Sequence, residues 1–111
     1  MTEKLRLEKI IGMALLSDFY GPLLTEKQRQ ALLLFYGEDF SLSEIAAECA
    51  CTRQAAHDLI KRSEALLVDY EQKLGLVAKH QQQQSLLDEL TQLTMNNKQL
   101  TIIVEMLRKS L

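Results

Sequence analysis

Glycine and proline are scarce in this sequence, four and one in 111 residues. A many-stranded sandwich or barrel needs a turn signal roughly every 8–12 residues, so those folds are excluded. Cysteine is equally sparse. Cys49 and Cys51 lie one residue apart, too close for an ordinary stapling bridge. Long apolar runs are absent too: the longest, Ile10 to Leu16, has seven residues, against about 20 for a membrane-spanning helix. Lys4, Arg6 and Lys9 precede that run, but Glu3 and Glu8 interrupt them and no small-x-small cleavage site follows. Neither a secretory leader nor membrane insertion is expected, and the expected compartment is the cytoplasm. Basic excess is missing as well, with 13 Lys and Arg against 15 Asp and Glu for a net charge of −2. No segment hides a basic domain: residues 1–40 carry five basic and six acidic side chains, 41–64 three and four, and 65–111 five and five. Strong nonspecific binding to nucleic acid, which feeds on phosphate neutralisation, is therefore excluded.

What remains is 47% apolar and rich in helix formers, which predicts an all-α fold with a real core. The first helix spans 4–20, with Leu7, Ile11, Ala14 and Leu15 on one stripe and Ile10, Met13 and Leu16 on other faces. Such a helix is either a central core helix or a dimer interface. Gly21-Pro22 ends it. Thr25-Glu26-Lys27-Gln28 and Ser41-Leu42-Ser43-Glu44 both have the form of a capping box, and Phe40 and Ile45 are placed as a hydrophobic staple. Gly37 closes the helix that Thr25 starts, and Ser41 opens a short one over Leu42 to Cys49. Thr52 is the N-cap expected for a fourth helix reaching Leu74, where Gly75 ends it and Asp69 pairs with Lys73.

Ala56, Ile60, Ser63, Leu67, Tyr70, Leu74 and Val77 form a heptad seam along and beyond that helix. Gln81 to Gln84 read as a solvated helix or a linker, followed by a Ser85 cap. A similar seam resumes at Leu86, Leu90 and Leu93 and again at Leu100, Val104, Leu107 and Leu111. Asn97 falls between, as a polar seam residue or, favoured here, as part of an Asn96-Asn97 turn that makes a helical hairpin. The expected division is a helix-turn-helix domain over 1–76 and a C-terminal helical extension for interaction or dimerisation over 77–111.

Residues 41–62 have helix-turn-helix spacing: short helix, three-residue turn, second helix. Ile45 and Cys49 face inward, small Ala46 permits close crossing, Cys51 plugs the turn, and Ala56 and Leu59 hold the second helix. Thr52, Arg53, Gln54, His57, Asp58 and Lys61 form the groove-facing set. Arg53 and Gln54 sit in the first turn, where Arg suits guanine and Gln adenine. Lys61 and Arg62, further along, suit phosphates, as do Thr52 and the helix N-terminal amides. Residues 53–64 hold three cations against Asp58 and Glu64, a thin footprint that points to weak or dimer-dependent DNA binding. A homodimer is expected, through the seam, the C-terminal helices or the first helix.

Chemistry of other kinds finds little support. Cys49-x-Cys51 with His57 and His80 matches no zinc pattern, so no metal is expected. Gly12, Gly21, Gly37 and Gly75 are scattered rather than gathered in a phosphate loop, and no nucleophile has a base and orienting partner, so neither enzyme activity nor a cofactor is expected. Glu38-Asp39 and Asp88-Glu89 are paired in sequence alone. Met95 and Met106 read as core filler.

Residues 19–76, with LLTEKQR, DFSLSEIA, TRQAAHDLIKR and LLVDYEQKLGL as the telling segments, resemble the YlxM family of small bacterial proteins. The helix-turn-helix itself looks like region 4 of sigma-70-type factors. The resemblance implies an all-helical fold, a DNA-binding or regulatory role, and a recognition-helix role for Arg53, Gln54, His57 and Lys61. Because the family is encoded beside genes of the signal recognition particle, it also implies an alternative: an adaptor for the protein or RNA of that particle. Two positions depart from the pattern. Ala50 stands where Gly or Asn often permits positive φ, at a cost of about 1 kcal/mol, and Ala56 stands where a larger β-branched residue is common.

Overall fold

The computed structural model describes residues 3–111, and among them all regular structure is helical. The chain forms two compact units, one ending at Leu74 and the other spanning Gly75–Leu111. The break is a single residue. Gly75 adopts φ 63, left-handed backbone that glycine reaches without strain, and it stops one helix just before the next begins.

The first unit holds α1 (Glu3–Tyr20), α2 (Glu26–Leu32), α3 (Leu42–Glu48) and α4 (Arg53–Leu74). Both capping boxes are complete: Thr25 and Gln28 exchange side-chain and backbone hydrogen bonds, as do Ser41 and Glu44. The Ser41 backbone donor, then its hydroxyl, holds the Glu44 carboxyl below its ordinary pKa. After α2 the chain widens into a π turn at Leu33–Gly37, with Glu38 N donating to Leu33 O at 3.1 Å and Phe40 N to Leu34 O at 2.9 Å. At Gly37 a Cβ would stand 3.2 Å from Leu33 Cδ1, so the wide turn has little room for a side chain there.

The core gathers on α4, which packs against α1, α2 and α3. Ala56, Ile60, Ser63 and Leu67 point inward to meet Tyr20, Ala31, Leu32, Ile45 and Ala46, all buried. Tyr20 stacks on Tyr70 with centroids 5.9 Å apart, and its hydroxyl donates to Glu71. The central helix is therefore α4 rather than α1. On α1 only Tyr20 is buried, and Leu5, Leu7 and Ile11 are about half exposed or more. Nor does the α4 seam continue: Leu74 is exposed, and Gly75 turns the chain before Val77.

One buried charge ties this unit together. Glu64 lies beneath the surface, accepts a 2.7 Å hydrogen bond from the Tyr36 hydroxyl on Oε2, and has Lys9 Nζ 3.6 Å from the same oxygen. Its Oε1 faces Lys61 Nζ at 3.5 Å without accepting a hydrogen bond. Burial, and then the Glu64 carboxylate, push the Tyr36 phenol well above its ordinary pKa of 10.0.

The second unit is an antiparallel pair, α5 (Leu76–Leu93) and α6 (Lys98–Ser110). The four glutamines are helical, and Ser85 lies inside α5 instead of capping it. Asn96-Asn97 is the turn, with Asn97 Oδ1 accepting from Leu100 N at 3.1 Å as the cap of α6. Arg108 clasps the pair, donating to Gln84 and Thr91 at 3.1 Å and pairing with Asp88 at 3.2 Å. Leu87, Thr94 and Val104 are the inward residues, so the expected α5 seam lies one step off: Leu86, Leu90 and Leu93 are exposed. Met95 and Met106 are exposed too, and fill no core.

Replacing Tyr36 with Phe strips Glu64 of its one hydrogen bond and is expected to cost about 1–3 kcal/mol in urea unfolding at neutral pH. A phenol whose pKa is raised on folding stabilises the fold fully below its unfolded value and loses that contribution as pH rises past it. Wild-type stability should therefore decline above pH 10.0, and the Tyr36→Phe curve should decline less steeply there. Equal urea midpoints for the two proteins would remove the role assigned to this bond.

Candidate nucleic-acid interface

Two short-range motifs set the angle between α3 and α4. At the end of α3, Cys51 N donates to Ala46 O at 3.0 Å and Ala50 N to Ala47 O at 3.4 Å. That pair of bonds is a Schellman closure, which needs a left-handed residue directly after the C-cap Cys49. Ala50 supplies it at φ 54, paying the steric cost expected of a residue with a Cβ. Two residues on, the Thr52 hydroxyl accepts from Ala55 N at 3.0 Å and caps α4. Ile45, Ala46 and Ala56 are buried at the crossing, while Leu59, Cys49 and Cys51 are half-buried. Both cysteines are free thiols.

The same capping that fixes α4 aims its first turns outward. At 3.6 residues per turn, Gln54, Asp58 and Lys61 follow the stripe opposite the core, Arg53 and His57 lie on one flank, and Arg62 on the other. Thr52, Arg53, Gln54, Asp58, Lys61 and Arg62 are exposed, and His57 is half-buried. The seven are not equally available. Gln54 Nε2 donates to Asp58 Oδ1 at 3.0 Å, and His57 Nδ1 lies 3.7 Å from that same oxygen, so these three form one small network. Thr52 spends its hydroxyl on the cap. Lys61 leans on the buried Glu64. Among the described residues, Arg53 and Arg62 are the two cations of the set with no ion pair within 4.0 Å.

Arg62 has company that spacing along the chain does not reveal. Lys27 and Gln28 of α2 join Arg62, Asp58, Ala55 and Cys51 around a cleft of about 290 Å³. Lys27 is 35 positions from Arg62, and only the packing of α2 on α4 brings them together. Lys27 and Arg62 thus put two cations on one cleft, with Asp58 as the acid among them, and the two cations suit backbone phosphate. Among the described residues no cluster of three or more His, Cys, Asp or Glu could hold a metal ion. No helix there is long and apolar enough to cross a membrane.

A helix-turn-helix with an outward N-terminal turn is thus the arrangement that the local motifs enforce. The sequence model of the family described as "Putative helix-turn-helix protein, YlxM / p13 like" matches residues 7–107. The chain belongs to the YlxM family. Its relatives include UPF0122 protein YlxM of Bacillus subtilis, 44% identical over 106 residues, covering 93% of this chain and 96% of that one. A relative from Bacillus cereus is 46% identical over 107 residues, covering 93% and 97%. Another, from Symbiobacterium thermophilum, is 59% identical over 78 residues, 70% of this chain and 73% of its own. The family match runs past Gly75 into α6, so both units belong to the shared pattern.

Since Ala50 sits in left-handed backbone, Ala50→Gly is expected to stabilise this YlxM-family chain by about 0.5–1 kcal/mol, the relieved strain less the added freedom of the unfolded glycine. Thermal denaturation should show a midpoint a few degrees higher, on the order of 4–8 °C per kcal/mol. A lower midpoint would mean that the turn carries no such strain.

Proposed function

We propose that this protein is a non-enzymatic, cytoplasmic regulator that binds duplex DNA through the N-terminal turns of α4, weakly by each head and effectively as a homodimer. The observation that carries the reading is the capped helix start: the Schellman closure and the Thr52 cap hold Arg53 and Gln54 outward at the end of a helix whose opposite stripe is fixed in the core. An arginine and a glutamine in that turn are suited to base edges. Lys27 and Arg62 are suited to phosphate. No cofactor or metal enters this reading.

The weakness follows from charge. Lys61 is partly neutralised by Glu64, and Asp58 stands in the middle of the outward stripe. With few cations per head, the slope of log affinity against log salt stays shallow, at about −0.9 per phosphate neutralised.

Binding to genomic DNA fragments at two salt concentrations is the direct measurement. Arg53→Ala is expected to weaken retention by about 1–3 kcal/mol and relax base preference, whereas Lys27→Ala should weaken all fragments alike. If no fragment is retained, or if the Arg53→Ala/Gln54→Ala protein binds as the wild type does, duplex recognition by α4 is wrong.

The net charge of −2 favours a second reading. An acidic body is steered toward basic partners, which suits an adaptor that contacts a basic protein of the signal recognition particle, and its RNA only through that protein. Purified particle components should then be captured by the full chain and released by deletion of residues 78–111. Absence of every component from the captured fraction would end that reading.

A further inference from the structure

The α5–α6 hairpin leaves one broad face uncovered. On α5, Leu86, Leu90 and Leu93 fall on a stripe about a quarter-turn from the inward residues Leu87 and Thr94. On α6, Leu100, Ile103 and Leu107 fall about a quarter-turn from the inward Thr101, Val104 and Arg108. Both offsets run toward lower helical angle, and the helices are antiparallel, so the two stripes emerge on the same side of the pair. All six side chains are exposed, from 39% at Leu90 to 83% at Leu93. Met106 and Leu111 extend the edge and are also exposed. Arg108, Asp88 and Glu105 are occupied with one another; the charges that border the face are Lys79, seven residues before Leu86, and Glu89, between Leu86 and Leu93.

We propose that this face is the homodimer interface: two hairpins stack face to face about a two-fold axis and close a four-helix bundle. The inference rests on the dimer-dependent reading above and adds to it the residues that make the contact. Three observations select a second copy as the occupant. The first is area. At on the order of 100 Å² of removable surface per aliphatic side chain, the exposed fractions of the eight residues amount to roughly 400 Å². A standard interface takes about 800 Å² from each partner, a little over half of it apolar, so this face supplies most of the apolar share of one such contact. The second is shape. Two rows of apolar side chains on one side of an antiparallel helix pair meet their own copy well, since a two-fold contact places the same patch on both sides. The third is charge. The eight residues carry no charge, and the two charges at the border, Lys79 and Glu89, are of opposite sign, so the face has no net charge to steer a partner.

Sedimentation of the full chain without nucleic acid, at tens of micromolar, tests the contact independently of DNA binding. The wild type is expected at twice the monomer mass, and Leu93→Glu and Ile103→Glu at the monomer mass with unchanged helical circular dichroism. Both positions are exposed, so neither glutamate enters a core. Ile11→Glu, on the exposed side of α1, is expected to stay dimeric. A monomeric wild type overturns both this interface and the dimer-dependent reading. A dimer that survives both hairpin substitutions, or that Ile11→Glu dissolves, overturns the interface and leaves that reading standing.

Discussion

Everything in the first unit depends on the inward stripe of α4. Ala56, Ile60, Ser63 and Leu67 recur at steps of four, three and four, and each is essentially removed from solvent. Because those steps return to one side of a helix, the opposite side is fixed with them. Turning α4 by one residue, about 100°, would pull Ile60 and Leu67 out of the core and expose on the order of 3–5 kcal/mol of apolar burial. The direction of Gln54, Asp58 and Lys61 is therefore a consequence of packing, not of any interaction those residues make themselves.

Glu64 shows what that constraint demands of the charges. It follows Ser63 on the edge of the inward stripe, so its carboxylate cannot reach open water and must find partners in place. Tyr36 provides a hydrogen bond, and Lys9 and Lys61 provide charge from α1 and from α4 itself. Lys61 is thereby drawn toward the core edge. A side chain that periodicity places in a groove-facing set is, in three dimensions, half committed to structure. The thin basic footprint is thus thinner than a count of charges suggests, and Lys27 offsets part of the loss only because α2 packs beside Arg62.

Local signals in the sequence were legible and long-range ones were not. Both capping boxes, the Thr52 cap, the Asp69–Lys73 pair at 2.9 Å, the Gly75 stop and the Asn96-Asn97 turn are contacts between residues three or four apart, or single-residue backbone preferences, whereas the cap expected at Ser85 lies inside α5. Chemistry at that range is written in adjacent letters. For α1 the sequence leaves two readings open, core helix or dimer interface, because an apolar composition all round a helix does not say which sides are covered; Leu5, Leu7 and Ile11 are not, and that removes the first. The α5 seam was misread by one step for a related reason. Leu86 and Leu87 are both leucines, and what turns Leu87 inward is the clasp of Arg108 on Gln84, Asp88 and Thr91, which no period reports. Lys27 was invisible for want of any signal linking it to Arg62 across the chain.

The two units differ in what they lack, and the difference explains why the proposed functions belong together. The helix-turn-helix head keeps Leu5, Leu7 and Ile11 exposed and has few free cations, so under the proposed reading it sits, on its own, near the weak end of nucleic-acid affinity, about 10⁻⁴ to 10⁻⁶ M for binding without sequence contacts. The hairpin has a different deficit: Arg108 pairs with Asp88 and Glu105, but two helices cannot cover both sides of each other. In the proposed dimer, joining two hairpins would bury the exposed leucines and link two heads in one step. The second head would then bind from an effective concentration on the order of millimolar, which raises avidity by roughly 10²–10⁴ without a new contact to DNA. An electrostatically poor head gains most from such linkage, and an apolar hairpin face from such cover.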